Sequence, residues 1–171
     1  MIENINYKSQ LKNIKSIVLD VDGVLTDGTI VLMENGDMVR TMNIKDGFAI
    51  QQAIKSGILV CVITGARSEA VKTRLKYLGV QDVYIGAFNK MEVFEDYLAT
   101  YSLDKSEVLY MGDDMPDYEV MKIVGLATCP KDAVNEIREL CKYVSSFDGG
   151  KGCVRDVVVQ VLKAQGKWNF N

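Results

Sequence analysis

The 171-residue chain contains no histidine at all. That absence removes Ser-His-Asp and Cys-His catalysis, so nucleophilic and acid–base work would fall to carboxylates, lysine or a metal ion. The four cysteines, Cys61, Cys129, Cys141 and Cys153, form no CxxC pair. Without CxxC or histidine, a zinc site of the usual Cys/His type is not expected, nor is a disulfide framework. The cysteines are read as buried small hydrophobes. No apolar run approaches the roughly 20 residues of a membrane span, and Met1 to Ile14 lack the apolar core of a secretory signal. A cytoplasmic protein with no membrane partner is therefore expected. Lysines and arginines are interspersed with acids at a formal net charge of −3, which gives no footprint for nucleic acid.

Short apolar runs alternate with longer stretches of helical period. This is the rhythm of βαβ units, and it predicts an α/β fold with a Rossmann-like, mostly parallel sheet covered by helices on both faces. Strands are expected at Ser16 to Asp20, Leu59 to Thr64, Val83 to Gly86, Val108 to Gly112, Leu126 to Thr128 and Tyr143 to Ser145. Helices are expected at Gly47 to Lys55, Glu69 to Leu78, Lys90 to Tyr101, Pro116 to Ile123, Ala133 to Cys141 and Cys153 to Ala164. The length suits a single domain over residues 1–171, and no linker or repeat interrupts it. One segment breaks the rhythm: strand-like runs at Thr29 to Met33 and Met38 to Met42 flank an Asn35-Gly36 turn. That pairing predicts a β-hairpin flap after the first strand, and Ile30, Leu32, Met38 and Met42 make it more apolar than a solvated flap requires.

The first strand ends in Asp20-Val21-Asp22-Gly23-Val24-Leu25-Thr26, the pattern DxDGxxT. Carboxylates at i and i+2 of an extended segment share a face, and two anions there repel unless a cation or a shared proton intervenes. Gly112-Asp113-Asp114-Met115-Pro116-Asp117 repeats the theme at a later strand end. Ligands in open parallel sheets gather at the carboxyl ends of strands, so Asp113 can meet Asp20 and Asp22. A carboxylate cluster without histidine or paired thiolates is an oxygen site suited to Mg²⁺. Helix capping is the ordinary role for at least one of Asp114 and Asp117. Thr64-Gly65 opens a helix after a strand and offers a hydroxyl and free N–H groups to an anion. Lys90, opening another helix, can neutralise a phosphoryl oxygen.

In order, DxDGxxT, a threonine at a strand end, a lysine and GDDxxD resemble the four motifs of the haloacid dehalogenase-like phosphatase superfamily. NIKDG (43–47), ITGARS (63–68), GGKGCVRD (149–156) and LKAQGK (162–167) narrow the resemblance to its capless members that act on phosphorylated sugar acids. The resemblance implies Asp20 as nucleophile, Asp22 as general acid and base, and Mg²⁺ on Asp20, Asp113 and the Asp22 carbonyl. It implies phosphate binding by Thr64, Gly65 and Lys90. It further implies a sugar acid surrounded by Asn43, Ile44, Lys45, Asp46, Gly47, Gln51, Arg67 and Arg74. The chain departs from the pattern at Ala66, where an arginine is usual and Arg67 follows one place later, and at Gln51, where a basic residue is common. Such relatives are homotetramers in which the hairpin and C-terminal tail of one subunit cover a neighbour's site, a role open here to Trp168 and Phe170. A phosphatase for a nine-carbon sialic-type acid 9-phosphate is the nearest alternative. A phospho-receiver module is the other, and it has no use for the second carboxylate of DxD.

Overall fold

The computed structural model describes residues 6–170. Six strands form one parallel sheet: β1 (Ser16–Leu19), β4 (Leu59–Ile63), β5 (Asp82–Tyr84), β6 (Val108–Met111), β7 (Leu126–Cys129) and β8 (Tyr143–Val144). Their spatial order is β5-β4-β1-β6-β7-β8. The chain runs outward from β1 to β4 and β5, then returns to β6 on the other side of β1. The reversal places the carboxyl ends of β1 and β6 side by side at the point where an α/β sheet opens a ligand crevice. In register, Leu19 lies opposite Met111, so Asp20 and Gly112 leave the sheet together.

All four β1 residues are buried, as expected of a parallel strand covered on both faces. Ile17 and Leu19 join one apolar cluster with residues of α2 (Ile44–Lys55), α3 (Glu69–Tyr77) and α7 (Cys153–Ala164), whereas Val18 joins a second cluster with α4 (Lys90–Tyr101), α5 (Tyr118–Met121) and α6 (Asn135–Leu140). Helix α7 presents Val154, Val157, Val158, Val161 and Leu162 on its buried face, the i, i+3, i+4, i+7 spacing of an amphipathic helix.

The hairpin is present but shorter than its apolar runs suggest. Only β2 (Val31–Leu32) and β3 (Met38–Val39) pair, as a separate two-stranded antiparallel sheet. Met42 packs on the core, but Ile30, Val31, Leu32, Met33, Met38 and Val39 are all exposed, with Leu32 at 75%. Two further differences appear at helix starts. A short α1 (Tyr7–Gln10) precedes β1, capped by the Asn6 side chain. Helix α2 begins at Ile44 rather than Gly47, because Asn43 adopts an extended backbone and its Oδ1 accepts the Lys45 N–H, as an N-cap does.

Candidate active site

The DxDGxxT segment folds as a tight turn on a single carbonyl. Val24, Leu25 and Thr26 all donate their N–H to Val21 O, at 3.2, 2.9 and 3.0 Å. The Thr26 hydroxyl, fully buried, accepts the N–H of Gly23 and of Gly28 and donates to Val21 O. Gly23 sits at φ +83°, and a Cβ there would fall 2.0 Å from Asp113 Oδ2. Only glycine tolerates both that conformation and that approach.

Asp20 is 7% exposed. Its Oδ1 accepts the Val21 N–H at 2.6 Å, and its Oδ2 lies 2.8 Å from Lys90 Nζ. Lys90, itself buried, donates at 2.7 Å to Asp117 Oδ1, which also accepts the Tyr110 hydroxyl at 2.7 Å. Asp117 Oδ2 takes the Asp113 N–H at 3.3 Å. One ammonium therefore faces a group of carboxylates. Asp20, Asp113 and Asp117 each bring an oxygen within 4.8 Å of the others.

The excess of negative charge shows in the proton affinities. Burial first, and then the charge of Asp117, push Asp20 up to about 8 despite the opposing pull of Lys90. Burial and Asp117 push Asp113 up to about 7. Burial works against the charge on Lys90, but Asp20 and Asp117 outweigh it and leave its pKa raised. A divalent cation answers this imbalance. The donor set is all oxygen. Asp117 is fully buried with three donors on its two oxygens, whereas Asp20 has one contact on each oxygen and Asp113 is only half-buried. Asp20 and Asp113 are therefore the side chains with lone pairs free for a hard ion such as Mg²⁺.

The structure separates the two candidate caps. Exposed Asp114 accepts the Met115 N–H at 2.7 Å and is the cap. Asp117, fully buried, is instead the anchor of Lys90. Its place at the end of GDDxxD was a signal, but only the fold shows that it lies under the lysine. Thr64 is buried at the end of β4, and its Oγ1 accepts the Ala66 N–H at 3.2 Å. Its backbone is stitched to the loop before α4 by Thr64 N–H to Tyr84 O and Ala87 N–H to Thr64 O, both 2.9 Å. Gly65 follows directly on it.

Asp22 does not join the carboxylate cluster. Its side chain is held by Arg40, just past β3, through Nε to Oδ1 at 2.6 Å and Nη2 to Oδ2 at 3.0 Å. No local pattern marked Arg40 beyond its being the one charged residue in the run Met38 to Met42. Beside it, Met38, Val39, Arg40, Arg67, Ser68 and Arg74 help line an open cleft of about 830 Å³. This is within the range of small-molecule sites. The Arg67 guanidinium lies 5.4 Å from the Phe88 ring centre and that of Arg74 5.8 Å from Tyr77.

The NIKDG segment is placed differently. Ile44 and Lys45 are exposed, Gln51 is half-buried, and Gly47 is buried beneath Arg74 and Leu78. Asp46, 1% exposed, turns away from the cleft: its Oδ1 accepts the Arg155 N–H at 2.7 Å in the first turn of α7, and its Oδ2 has no partner. Burial raises its pKa, opposed by the Arg155 and Gly152 N–H groups. Asn43 Nδ2 donates to Gly150 O, and Gly150 N–H donates to Val24 O in the DxDGxxT turn. Gly149 packs so close that a Cβ would lie 2.0 Å from Gly23 O. NIKDG and GGKG thus brace the DxD turn from behind. The tail packs on its own chain. Phe170 contacts Phe48 and Trp168, and the Arg155 guanidinium lies 5.7 Å from Phe48 and 5.5 Å from Trp168.

Comparison with known proteins agrees with this architecture. The model of the haloacid dehalogenase-like hydrolase family matches residues 80–153. The 3-deoxy-D-manno-octulosonate 8-phosphate phosphatase of Escherichia coli strain K12 is 39% identical over 159 residues, 93% of this chain and 85% of its own. The chain belongs to the haloacid dehalogenase-like hydrolases. It is an enzyme of the phosphatase kind in that family. Among solved members, the Yersinia pestis 3-deoxy-D-manno-octulosonate 8-phosphate phosphatase superposes with a TM-score of 0.92 at 34% identity, covering 96% of this chain and 88% of that one. The Moraxella catarrhalis phosphatase of the same name, solved with magnesium, phosphate and the KDO molecule, gives 0.93 at 30% identity and covers 96% and 95%. In this haloacid dehalogenase-like hydrolase the six-stranded, mostly parallel sheet is that of the family fold.

Proposed function

We propose that the protein hydrolyses a phosphorylated sugar acid, KDO 8-phosphate (3-deoxy-D-manno-octulosonate 8-phosphate) first among them, to the free sugar acid and phosphate. The observation that carries the reading is the convergence of Asp20, Asp113 and Lys90 at one strand-end crevice. The cleft beside it bears Arg67 and Arg74, charges suited to a carboxylate. The relatives' substrate, printed in their names, supports the choice of sugar acid.

In this reading Asp20 attacks phosphorus and forms an aspartyl-phosphate as the bond to the sugar oxygen breaks. Asp22 gives its proton to that oxygen. It then takes a proton from the water that attacks the phosphoenzyme, which releases phosphate and restores Asp20. Thr64, the N–H groups near Gly65 and Lys90 take up the phosphoryl oxygens and their developing charge. Mg²⁺ is the cofactor; Asp20, Asp113 and the Asp22 carbonyl would hold it, and when bound it would supply positive charge that offsets the repulsion of carboxylate and phosphate. Asn43, Ile44, Lys45 and Gln51 surround the sugar, together with the two cleft arginines Arg67 and Arg74.

The remaining assignments belong to the same proposal. The chain is one capless domain acting in the cytoplasm; among the described residues no helix is long and apolar enough to cross a membrane. It assembles as a homotetramer, for which the exposed apolar hairpin supplies a contact surface. The test is a screen of phosphorylated sugar acids and simple hexose phosphates with Mg²⁺ and detection of released phosphate. A clear preference in kcat/KM for KDO 8-phosphate is expected. Preference for a nine-carbon acid 9-phosphate would move the assignment to that substrate, and equal rates on hexose phosphates would remove the sugar-acid reading.

A further inference from the structure

In the described residues the Asp22 carboxylate has one side-chain partner, and it comes from outside the sheet. Arg40 grips both carboxylate oxygens at 2.6 and 3.0 Å, and its Nη1 donates to Met38 O in β3 at 3.1 Å. Three N–H groups of one guanidinium thus join the hairpin backbone to the carboxylate read here as general acid and base. The Arg40 side chain is 7% exposed, although the hairpin residues before it are largely open to solvent. The neighbouring carboxylate, Asp20, is already fixed by Val21 and Lys90. Asp22 has no such support from its own turn.

We infer that Arg40 is a positioning residue for Asp22, and that through it the seating of the hairpin sets the orientation of the acid–base carboxylate. The inference rests on the proposed phosphatase mechanism. A bidentate guanidinium pair fixes the plane of a carboxylate as well as its place, which a lysine ammonium, a point charge, does not do. Freed from Arg40, Asp22 can rotate toward solvent or toward the metal ligands. Misplacement of a catalytic group by about 1 Å can cost on the order of a hundredfold in rate.

The experiment compares the full chain with Arg40→Ala and Arg40→Lys, using Asp22→Asn as reference, under saturating Mg²⁺. Two substrates are used: KDO 8-phosphate, whose alcohol leaving group needs a proton, and p-nitrophenyl phosphate, whose phenolate leaves with little help. Arg40→Ala is expected to lower kcat on KDO 8-phosphate by roughly 10- to 100-fold with KM within about threefold. That loss should exceed the loss on p-nitrophenyl phosphate by about tenfold or more. Arg40→Lys should recover part of the loss, and it carries the test if the alanine variant does not fold. Equal losses on both substrates would overturn the inference. So would a rise in KM with kcat unchanged, which would make Arg40 a substrate anchor, or a rise in kcat, which would make the clamp a brake. Wild-type enzyme that turns over no phosphorylated sugar acid would overturn the underlying function itself. Active wild type with leaving-group-independent Arg40 variants would overturn only the positioning role.

Discussion

Replacing Asp46 with alanine tests whether the NIKDG segment acts as a brace for the DxD turn. The substitution leaves the Arg155 N–H, in the first turn of α7, without its acceptor at 2.7 Å. A hydrogen bond to a charged group contributes about 1.5–3 kcal/mol, and a lost helix cap typically costs about 1 kcal/mol. These describe one interaction and are not added. The unpartnered Oδ2 disappears as well, which offsets part of the loss. A net destabilisation of about 2 kcal/mol is expected, or roughly 4–8 °C in Tm for a chain of this size. Asp46→Asn keeps a carbonyl for Arg155 and should lose less than about 1 kcal/mol. Because Gly150 and Cys153 both bond to Val24 O in the DxD turn, the alanine variant should also lose kcat several-fold while KM holds. Thermal melts and steady-state kinetics read the two effects. Unchanged Tm and kcat, or a large rise in KM alone, would refute the brace and return Asp46 to direct substrate recognition.

Asp20→Asn should abolish turnover while the fold persists, whereas Asp22→Asn should be severely slowed and accumulate phosphoenzyme; steady-state turnover by purified Asp20→Asn would rule out the covalent route. Chelation should remove activity and Mg²⁺ restore it, with Asp113→Ala weakening metal affinity in a titration. Stability should follow the raised proton affinities of Asp20 and Asp113, about 8 and about 7 against a usual 3.8. Between those values the folded metal-free protein holds protons that the unfolded chain has released, so its Tm should fall as pH rises from about 4 to about 8. Mg²⁺ should raise Tm more at pH 8 than at pH 5; a flat profile would contradict the acidic cluster. Ile30→Glu with Leu32→Glu should dissociate the assembly in sedimentation and reduce activity, and a fully active wild-type monomer would falsify the hairpin contact.

Much of the site was legible because its groups follow strands that declare themselves locally. Ile17-Val18-Leu19 and Val108 to Met111 are continuous apolar runs, as strands buried on both faces must be, and DxD and GDD mark their ends. The expected bounds of α4 and α7 match those observed, since capping residues and helical period are properties of neighbours in sequence. The start of α2 was less legible. Asn43 is both a motif residue and an N-cap, and the motif drew attention away from the cap.

Local pattern settled which chemistry the chain carries: carboxylates without histidine, a threonine, a lysine and a cation-hungry turn. Tertiary structure decided the partners. Whether Asp114 or Asp117 anchors Lys90, whether Asp46 faces substrate or caps α7, and which residue holds Asp22 depend on pairs separated by 27, 109 and 18 positions. Propensity, period and turn chemistry act over a few residues and cannot choose among such pairs. The choice is made when the sheet order brings the β1 and β6 ends together and each buried charge must find the counter-charge or N–H that offsets its desolvation.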